Sequence, residues 1–233
     1  AGSSYAGVNV TAGVTGLAAG GTVSGNSLLM SFANHYVGGS LSAINNTGSL
    51  SAATAVYIAS TGNLGALNNS GTISGNILNL SGRALVINGG SGSAGTLTGG
   101  SITSTGANVV LASGNLLLGD AVNVGTNSLV NSGASVQLAG ALSVTGNYSQ
   151  TAGVLNVGSN ILSVSGAANI TGGTIAANLS ATGNYLVGSG GTLVSAGAGS
   201  SYSGASIVVG GLTGLKAVST VSGNSLLMSF ANN

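Results

Sequence analysis

Residues 22–34, with the sequence TVSGNSLLMSFAN, occur a second time without a single change as residues 220–232. The similarity continues upstream, because residues 1–5 (AGSSY) recur as residues 198–202, so the opening segment returns about 198 residues later. Self-similarity of this length is the signature of a repeat architecture, whose units stack to bury a shared core. The sequence therefore predicts one long module followed by the first part of the next copy, or a subunit whose two ends carry the same strand.

Charged side chains are almost absent from this chain. Arg83, Lys216 and Asp120 are the only ones among 233 residues, whereas about a quarter of the residues of an ordinary soluble domain are charged. Intrinsic disorder is disfavoured, because disordered chains combine high charge with low hydrophobicity and this chain is 43% hydrophobic. A formal net charge of +1 removes most of the repulsion that keeps protein molecules apart. We therefore expect an ordered chain that self-associates.

Short apolar groups, each followed within a few residues by Gly, Asn or Ser, run through the chain from residue 41 onward. This rhythm is typical of short strands joined by turns. Helix formers such as Glu, Lys, Arg and Gln are nearly missing, which disfavours helix. Proline is absent, which suits a backbone whose N–H groups are used in sheet ladders. We expect strands of about three to five residues at residues 41–44, 55–58, 77–80, 85–87, 109–111, 116–118, 122–124, 136–138, 142–144, 155–157 and 162–164.

The predicted fold class is all-β, a parallel β-solenoid of short strands with Gly, Asn and Ser turns. Glycine can supply positive φ at the corners, and Asn, Ser or Thr at equivalent positions can stack in hydrogen-bonded ladders. The triplet Ser/Thr-Gly-Asn recurs along the chain. Several of its spacings fit two turns of roughly 19 residues each, which is within the range of solenoid repeats. Turns of that length would number roughly twelve and form a rod on the order of 60 Å long.

The residue types needed for catalysis and metal binding are too few to form a site. Acid–base cleavage of polysaccharides takes two carboxylates, or a carboxylate beside a cation. Asp120 is the only carboxylate side chain, and we expect it to be a solvated turn residue, with pairing to Arg83 or Lys216 left open. His35 is the only histidine and cysteine is absent, so we predict no metal site, no cofactor and no enzymatic activity. Nucleic-acid binding is disfavoured by the lack of Lys and Arg, and no transmembrane segment is expected.

Two stretches resemble a known family: residues 67–75 (LNNSGTISG) and residues 142–157 (LSVTGNYSQTAGVLNV). They are similar to the repeats of bacterial autotransporter passengers and of filamentous-haemagglutinin-like exoproteins, and residues 202–230 resemble the segment that ends such passengers. The resemblance implies a right-handed parallel β-helix that is exported through the outer membrane. It also implies a secreted or cell-surface location and work as an adhesin or a structural fibre.

The repeated strand is the best candidate for a working part. It fits either an inner core strand or an open terminal strand that pairs with a neighbouring subunit, because an uncapped, uncharged edge templates the addition of another chain. No cap is evident at Asn233. The predicted self-assembly strand comprises Ser27, Leu28, Leu29, Met30, Ser31 and Phe32, and again Ser225, Leu226, Leu227, Met228, Ser229 and Phe230.

These observations predict three segments: residues 1–34 as the first copy and start of the solenoid, residues 35–197 as its centre, and residues 198–233 as the second copy and end-to-end contact. The predicted function is a secreted structural protein that self-assembles end to end, laterally or both, into an extracellular filament or surface coat. The alternative is an adhesin passenger that binds receptors or glycans on host or neighbouring cells. A third alternative, ice binding, needs regular threonine rows, and only residues 96–98 and 103–105 have the Thr-x-Thr pattern.

Overall fold

A computed structural model describes residues 17–24, 27–178, 185–210 and 214–233, with side chains from residue 36 onward. The chain is all-β in these ranges, and they contain no apolar helix that could span a membrane. Parallel strands stack in a β-solenoid of about seven turns, which confirms the predicted fold class. The strands are β1 (Leu17–Ser24), β2 (Ser27–Val37), β3 (Ser40–Asn46), β4 (Ser49–Ile58), β5 (Asn63–Asn69), β6 (Thr72–Asn79), β7 (Leu85–Asn88), β8 (Gly95–Thr98), β9 (Ser101–Thr103), β10 (Val109–Ser113), β11 (Asn115–Leu118), β12 (Ala121–Asn131), β13 (Ser135–Leu138), β14 (Leu142–Gln150), β15 (Val154–Gly158), β16 (Leu162–Val164), β17 (Ala168–Ile170), β18 (Thr174–Asn178), β19 (Gly190–Ser195), β20 (Ser206–Gly210), β21 (Leu215–Ser222) and β22 (Ser225–Asn232).

Three parallel faces make up the coil. The first face runs through β3, β5, β7, β10, the second parts of β12 and β14, and β17. The second face runs through the first parts of β4 and β6, then β8, β11, β13, β15, β18 and β20. The third face runs through the end of β2, the second parts of β4 and β6, β9, the first parts of β12 and β14, β16 and β19. Strands β4, β6, β12 and β14 exceed the predicted length because each bends round a corner into the next face.

The turns of the coil differ in length. Tyr148 lies over Leu129 at a sequence separation of 19, as predicted, whereas Ser104 lies over Asn79 at a separation of 25. The last turn is longer still, because Ser200 meets Ala168 at a separation of 32. About seven turns rising about 4.8 Å each give a stack of roughly 34 Å. The expected number of turns and the expected length of the rod are wrong, because several turns exceed the predicted length and because β1, β21 and β22 pair antiparallel instead of adding turns.

The triplet Ser/Thr-Gly-Asn is not confined to one corner of the coil, because it occupies all three. Gly75 lies where β6 passes from the second face to the third, and Gly146 lies where β14 passes from the third face to the first. Gly114 separates β10 on the first face from β11 on the second. Spacings between different corners do not measure one turn. The predicted positive φ at corners is confirmed at these three glycines, with Gly75 at +129°.

Aliphatic side chains stack in inward-facing columns and form one continuous core. Each column places a residue directly above the equivalent residue of the turn below, with almost no exposure to solvent. Fully burying a Val, Leu or Ile side chain stabilises the fold by roughly 1.5–3 kcal/mol, so no single turn is stable without its neighbours. The columns are Leu67, Ile87 and Leu111 on the first face; Ile73, Leu97, Leu118 and Leu138 on the second; and Ile77, Ile102, Val122, Val144 and Val164 on the third.

A ladder of asparagine amides runs along the outside of the first face. Asn68 Nδ2 donates to Asn45 Oδ1 at 2.7 Å, and Asn88 Nδ2 donates to Asn68 Oδ1 at 2.8 Å. The hydroxyl of Ser113 closes the ladder by donating to Asn88 Oδ1 at 2.8 Å. Each amide is both donor and acceptor, so neutral side chains satisfy one another where stacked charges would repel. The predicted polar ladder is confirmed.

Candidate self-assembly site

The repeated stretch forms a β-hairpin in both places, with the same pairing next to the turn. In the first copy Thr22 pairs with Leu29 and Ser24 with Ser27, and in the second copy Thr220 pairs with Leu227. The second hairpin turns through the two residues between Ser222 and Ser225, and Gly223 there has φ +58°, as two-residue hairpins require. A Gly-Asn pair between two alternating apolar runs is a known hairpin signal. Our sequence reasoning missed it.

Strand β22 lies between two other strands. It pairs antiparallel with β21 on one side and with β19 on the other. Leu226, Met228 and Phe230 alternate along it and are buried, and the Phe230 ring packs against Tyr185 with centroids 5.2 Å apart. The prediction of an inner core strand is confirmed for this copy. The prediction that the strand is open and uncapped is wrong, because the hairpin continues the third face beyond β19 in antiparallel fashion and covers that edge.

The contact between β19 and β22 is close enough to require glycine. Phe230 N–H donates to the carbonyl of Ser189 at 2.9 Å, and Gly188 N–H donates to the carbonyl of Phe230 at 2.8 Å. A Cβ added to Gly190 would collide with the carbonyl oxygen of Met228. Gly188 lies in a turn, whereas Gly190 and Gly191 lie in the strand that receives the hairpin.

The outer strand of the second hairpin, β21, pairs only with β22 among the described residues. Lys216 lies exposed on it, and a lysine on an edge strand discourages further strands from adding there. The same position in the first copy is Ala18. The two hairpins therefore differ in the charge of their outer edge while sharing the sequence of their inner strand.

The first copy of the hairpin has different surroundings. In the described part of the chain, strand β2 pairs with β1 and with β4. The pairing with β4 involves only the last three residues of β2, His35 to Val37. Residues 28–31 match the residues that bind β19 in the second copy, and among the described residues they have no partner on that side. The side chains of residues 27–32 and of His35 lie outside the described part, so predictions about their burial stay open.

A cavity of about 290 Å³ lies beside the second hairpin. Leu193 and Met228 supply apolar walls, and Asn160, Asn178 and Tyr185 supply polar atoms. No charged side chain is among the described residues that line it. The cavity therefore offers no acid–base pair.

Asp120 is buried, with only 1% of its surface exposed, so the predicted solvated turn residue is wrong. The carboxylate lies at the corner between β11 and β12, where its Oδ1 accepts a 2.8 Å hydrogen bond from Gly100 N–H of the preceding turn. Among the described residues, its Oδ2 has no hydrogen-bond partner. Burial raises the pKa of this carboxyl above its ordinary value, and the Gly100 hydrogen bond offsets part of that rise.

Arg83 and Lys216 do not approach this carboxylate. Both are exposed, and the described residues contain no ion pair and no cluster of three metal-ligating side chains. The three charged residues of the chain are thus brought together neither with one another nor with the cavity beside the second hairpin.

Compared with known proteins, the chain matches no family model, no curated protein and no solved structure.

Proposed function

We propose that this protein is a non-enzymatic, secreted structural solenoid that self-assembles into an extracellular filament or surface coat. The observation that carries the proposal is that uncharged strands with an unpaired edge lie at both ends of the stack. Within the described ranges β3 pairs only with β5, and β20 pairs only with β18. Unpaired edges of this kind accept further strands from other molecules.

Charge does not protect these edges. Strands β3 and β20 contain no charged residue, and Val208 in the middle of β20 is 54% exposed. A second copy stacked on this end, with the start of its β4 meeting β20, would continue the ladder of backbone hydrogen bonds. Because the edges of β4 and β20 lie at opposite ends of the stack, this contact repeats without closing and produces a filament.

The surroundings of Asp120 support a structural role over a catalytic one. Acid–base cleavage needs a second carboxylate or a cation near the first, and Asp120 is buried beside backbone atoms of Gly100. The resemblance of residues 142–157 to exported bacterial repeats supports a location outside the cell. Fractionation of cells that make the native protein tests this location, and protein confined to the cytosol would contradict it.

Sedimentation velocity and negative-stain microscopy of the full chain at neutral pH test the assembly. We expect rods that lengthen with protein concentration, and we expect Val208→Lys to shorten them because a lysine must be desolvated when a strand adds to β20. Gln137→Lys is the matched control. It adds the same charge at an exposed residue of β13, which is paired on both sides. Dispersed monomers at every concentration would refute self-assembly.

One observation favours the adhesin alternative. Tyr36 and Tyr57 stack on the outside of the first turns, with ring centroids 5.5 Å apart and planes 9° apart, and Tyr36 is 45% exposed. Exposed aromatic rings are enriched in binding surfaces. Binding of the monomeric rod to a glycan or cell-surface protein, lost in Tyr36→Ala, would support this function. Equal binding by both proteins would remove the support.

A further inference from the structure

Two identical strand segments lie in different surroundings in this chain. Residues 28–31 and residues 226–229 both read Leu-Leu-Met-Ser. The second segment pairs with residues 190–194 of β19, whereas the first has no described partner at the equivalent edge. The chain thus contains one acceptor strand, one segment docked on it, and a spare segment of the same sequence.

We propose that residues 28–31 of one copy dock on residues 190–194 of another copy, in place of that copy's own residues 226–229. The partner is a second copy of this chain, and the inference rests on the proposed self-assembly. In the exchanged form Met30 takes the position of Met228, and Leu29 lies opposite Thr192, as Leu227 does in the closed form.

Strand β2 is long enough to bridge two copies. His35 to Val37 pair with β4 in the first turns of their own solenoid. Residues 31 and 35 are four positions apart, which spans about 13 Å in an extended strand. One part of β2 can therefore remain in its own stack while residues 28–31 extend to the β19 edge of the neighbour.

The exchange replaces contacts by identical contacts, so the two forms differ little in contact energy. The docked hairpin buries Leu226, Met228 and Phe230, and the incoming hairpin offers the same three residue types. The closed form is favoured by its intramolecular attachment, which corresponds to an effective concentration on the order of millimolar. Exchange therefore grows with protein concentration and with any change that weakens the chain's own hairpin.

The positions of donor and acceptor decide the shape of the product. The donor precedes the first turn and β19 belongs to the last, so one copy's donor reaches the far end of the next copy. A contact between unlike surfaces of this kind forms an open chain of copies. The exchanged hairpin also places Ala18 at the outer edge where the closed form has Lys216, so the edge loses its charge.

Disulfide trapping between two full-length variants tests the contact, because the natural chain has no cysteine. Thr192→Cys protein is mixed with Leu29→Cys protein under mild oxidation, and the disulfide-linked heterodimer is measured on a non-reducing gel. Thr192→Cys mixed with Gln137→Cys is the control for random collision, since Gln137 is exposed on an interior strand. We expect at least fivefold more heterodimer with Leu29→Cys. Equal amounts in the two mixtures would overturn the proposal.

The same substitution in each copy of the hairpin supplies a second test. Met228→Asp puts a carboxylate at a buried position and weakens the closed form, so we expect about tenfold more trapping on that chain's cysteine at position 192. Met30→Asp in the Leu29→Cys partner should abolish the gain, because it damages only the donor. If Met30→Asp leaves trapping unchanged, docking through residues 28–31 is refuted. Circular dichroism checks that each variant keeps its β-sheet spectrum.

The outcomes separate this inference from the proposed function. Rods that form and respond to Val208→Lys without excess trapping at positions 29 and 192 leave the self-assembly proposal intact and refute hairpin exchange. Excess trapping that Met30→Asp abolishes supports the exchange. A chain that stays monomeric at every concentration and gives no excess trapping refutes both.

Discussion

Replacing Gly75 by alanine tests whether the corners of the coil depend on glycine. Gly75 has φ +129°, a conformation that L-residues with a Cβ rarely adopt. A Cβ at this position would also collide with the carbonyl oxygen of Ala52, in the turn below. The substitution therefore strains the corner itself and its contact with the neighbouring turn.

Gly140→Ala is the matched control. No atom lies within 4 Å of a Cβ built on Gly140, and its φ is outside the positive range. Both substitutions restrict the unfolded chain and so gain about 0.4–1 kcal/mol of stability. That gain is common to both variants, so the difference between their free energies of unfolding reports on the folded state alone.

The expected magnitude follows from these terms. At Gly75 the disfavoured backbone conformation costs about 1–3 kcal/mol, and relief of the collision with Ala52 costs about 1–3 kcal/mol more. After subtraction of the shared gain, Gly75→Ala should lower the free energy of unfolding by roughly 1–5 kcal/mol. Gly140→Ala should leave it unchanged or raise it by up to about 1 kcal/mol.

Urea unfolding followed by circular dichroism measures both values, in dilute protein so that association does not contribute. The unfolding midpoint should fall clearly for Gly75→Ala, with an unchanged spectrum before the transition. If the two variants unfold within about 0.5 kcal/mol of each other, the corner does not need glycine and the packing of one turn on the next is wrong as described.

Three further predictions concern the interior and the ladder. Burial raises the pKa of Asp120, so the free energy of unfolding should fall as pH rises from below about 4, the unfolded pKa, to above the folded pKa. Asp120→Asn should remove this pH dependence of the urea midpoint between pH 3 and 8, and a dependence that persists in the variant would contradict the prediction. Asn68→Ala removes two ladder hydrogen bonds and should lower the free energy of unfolding by about 1–2 kcal/mol, more than Asn45→Ala, which removes one. Equal urea midpoints for the two variants would show that the ladder does not stabilise the fold. Leu111→Ala, at 1% exposure, should cost about 2–5 kcal/mol, whereas Leu80→Ala, at 47% exposure, should stay within about 0.5 kcal/mol of the natural chain in thermal unfolding.

Much of the coil can be predicted from local sequence. Every apolar group named in the sequence analysis from residue 41 to residue 164 overlaps a strand, because aliphatic runs bounded by Gly, Asn and Ser have few other stable conformations. The asparagine ladder was also predictable in kind, since amides at equivalent positions of a parallel stack can only face one another. The variation in turn length, from 19 residues to 32, was not predictable, because the loops at the corners differ in length without changing which strands stack.

Asp120 shows where local reasoning fails. The dipeptide Gly119-Asp120 between two apolar strands reads as an exposed turn. Its burial comes from the neighbouring turn of the coil, whose Gly100 N–H meets the carboxylate from a sequence separation of 20. A residue's exposure at a corner depends on what stacks above and below it, and no short window of sequence contains that information.

Taken alone, the sequence determined that this chain forms stacked strands, because it has almost no charge, no proline and regular short apolar groups between turn residues. The identical residues next to each turn also pair alike, residues 22–24 with 27–29 and residues 220–222 with 225–227, because a hairpin's pairing is local. Only the tertiary structure decided that residues 226–229 are docked on β19, whereas residues 28–31 have no such partner among the described residues. The physical reason is that docking needs a second strand, β19, which the chain supplies at one end of the stack and which identical local sequences cannot specify.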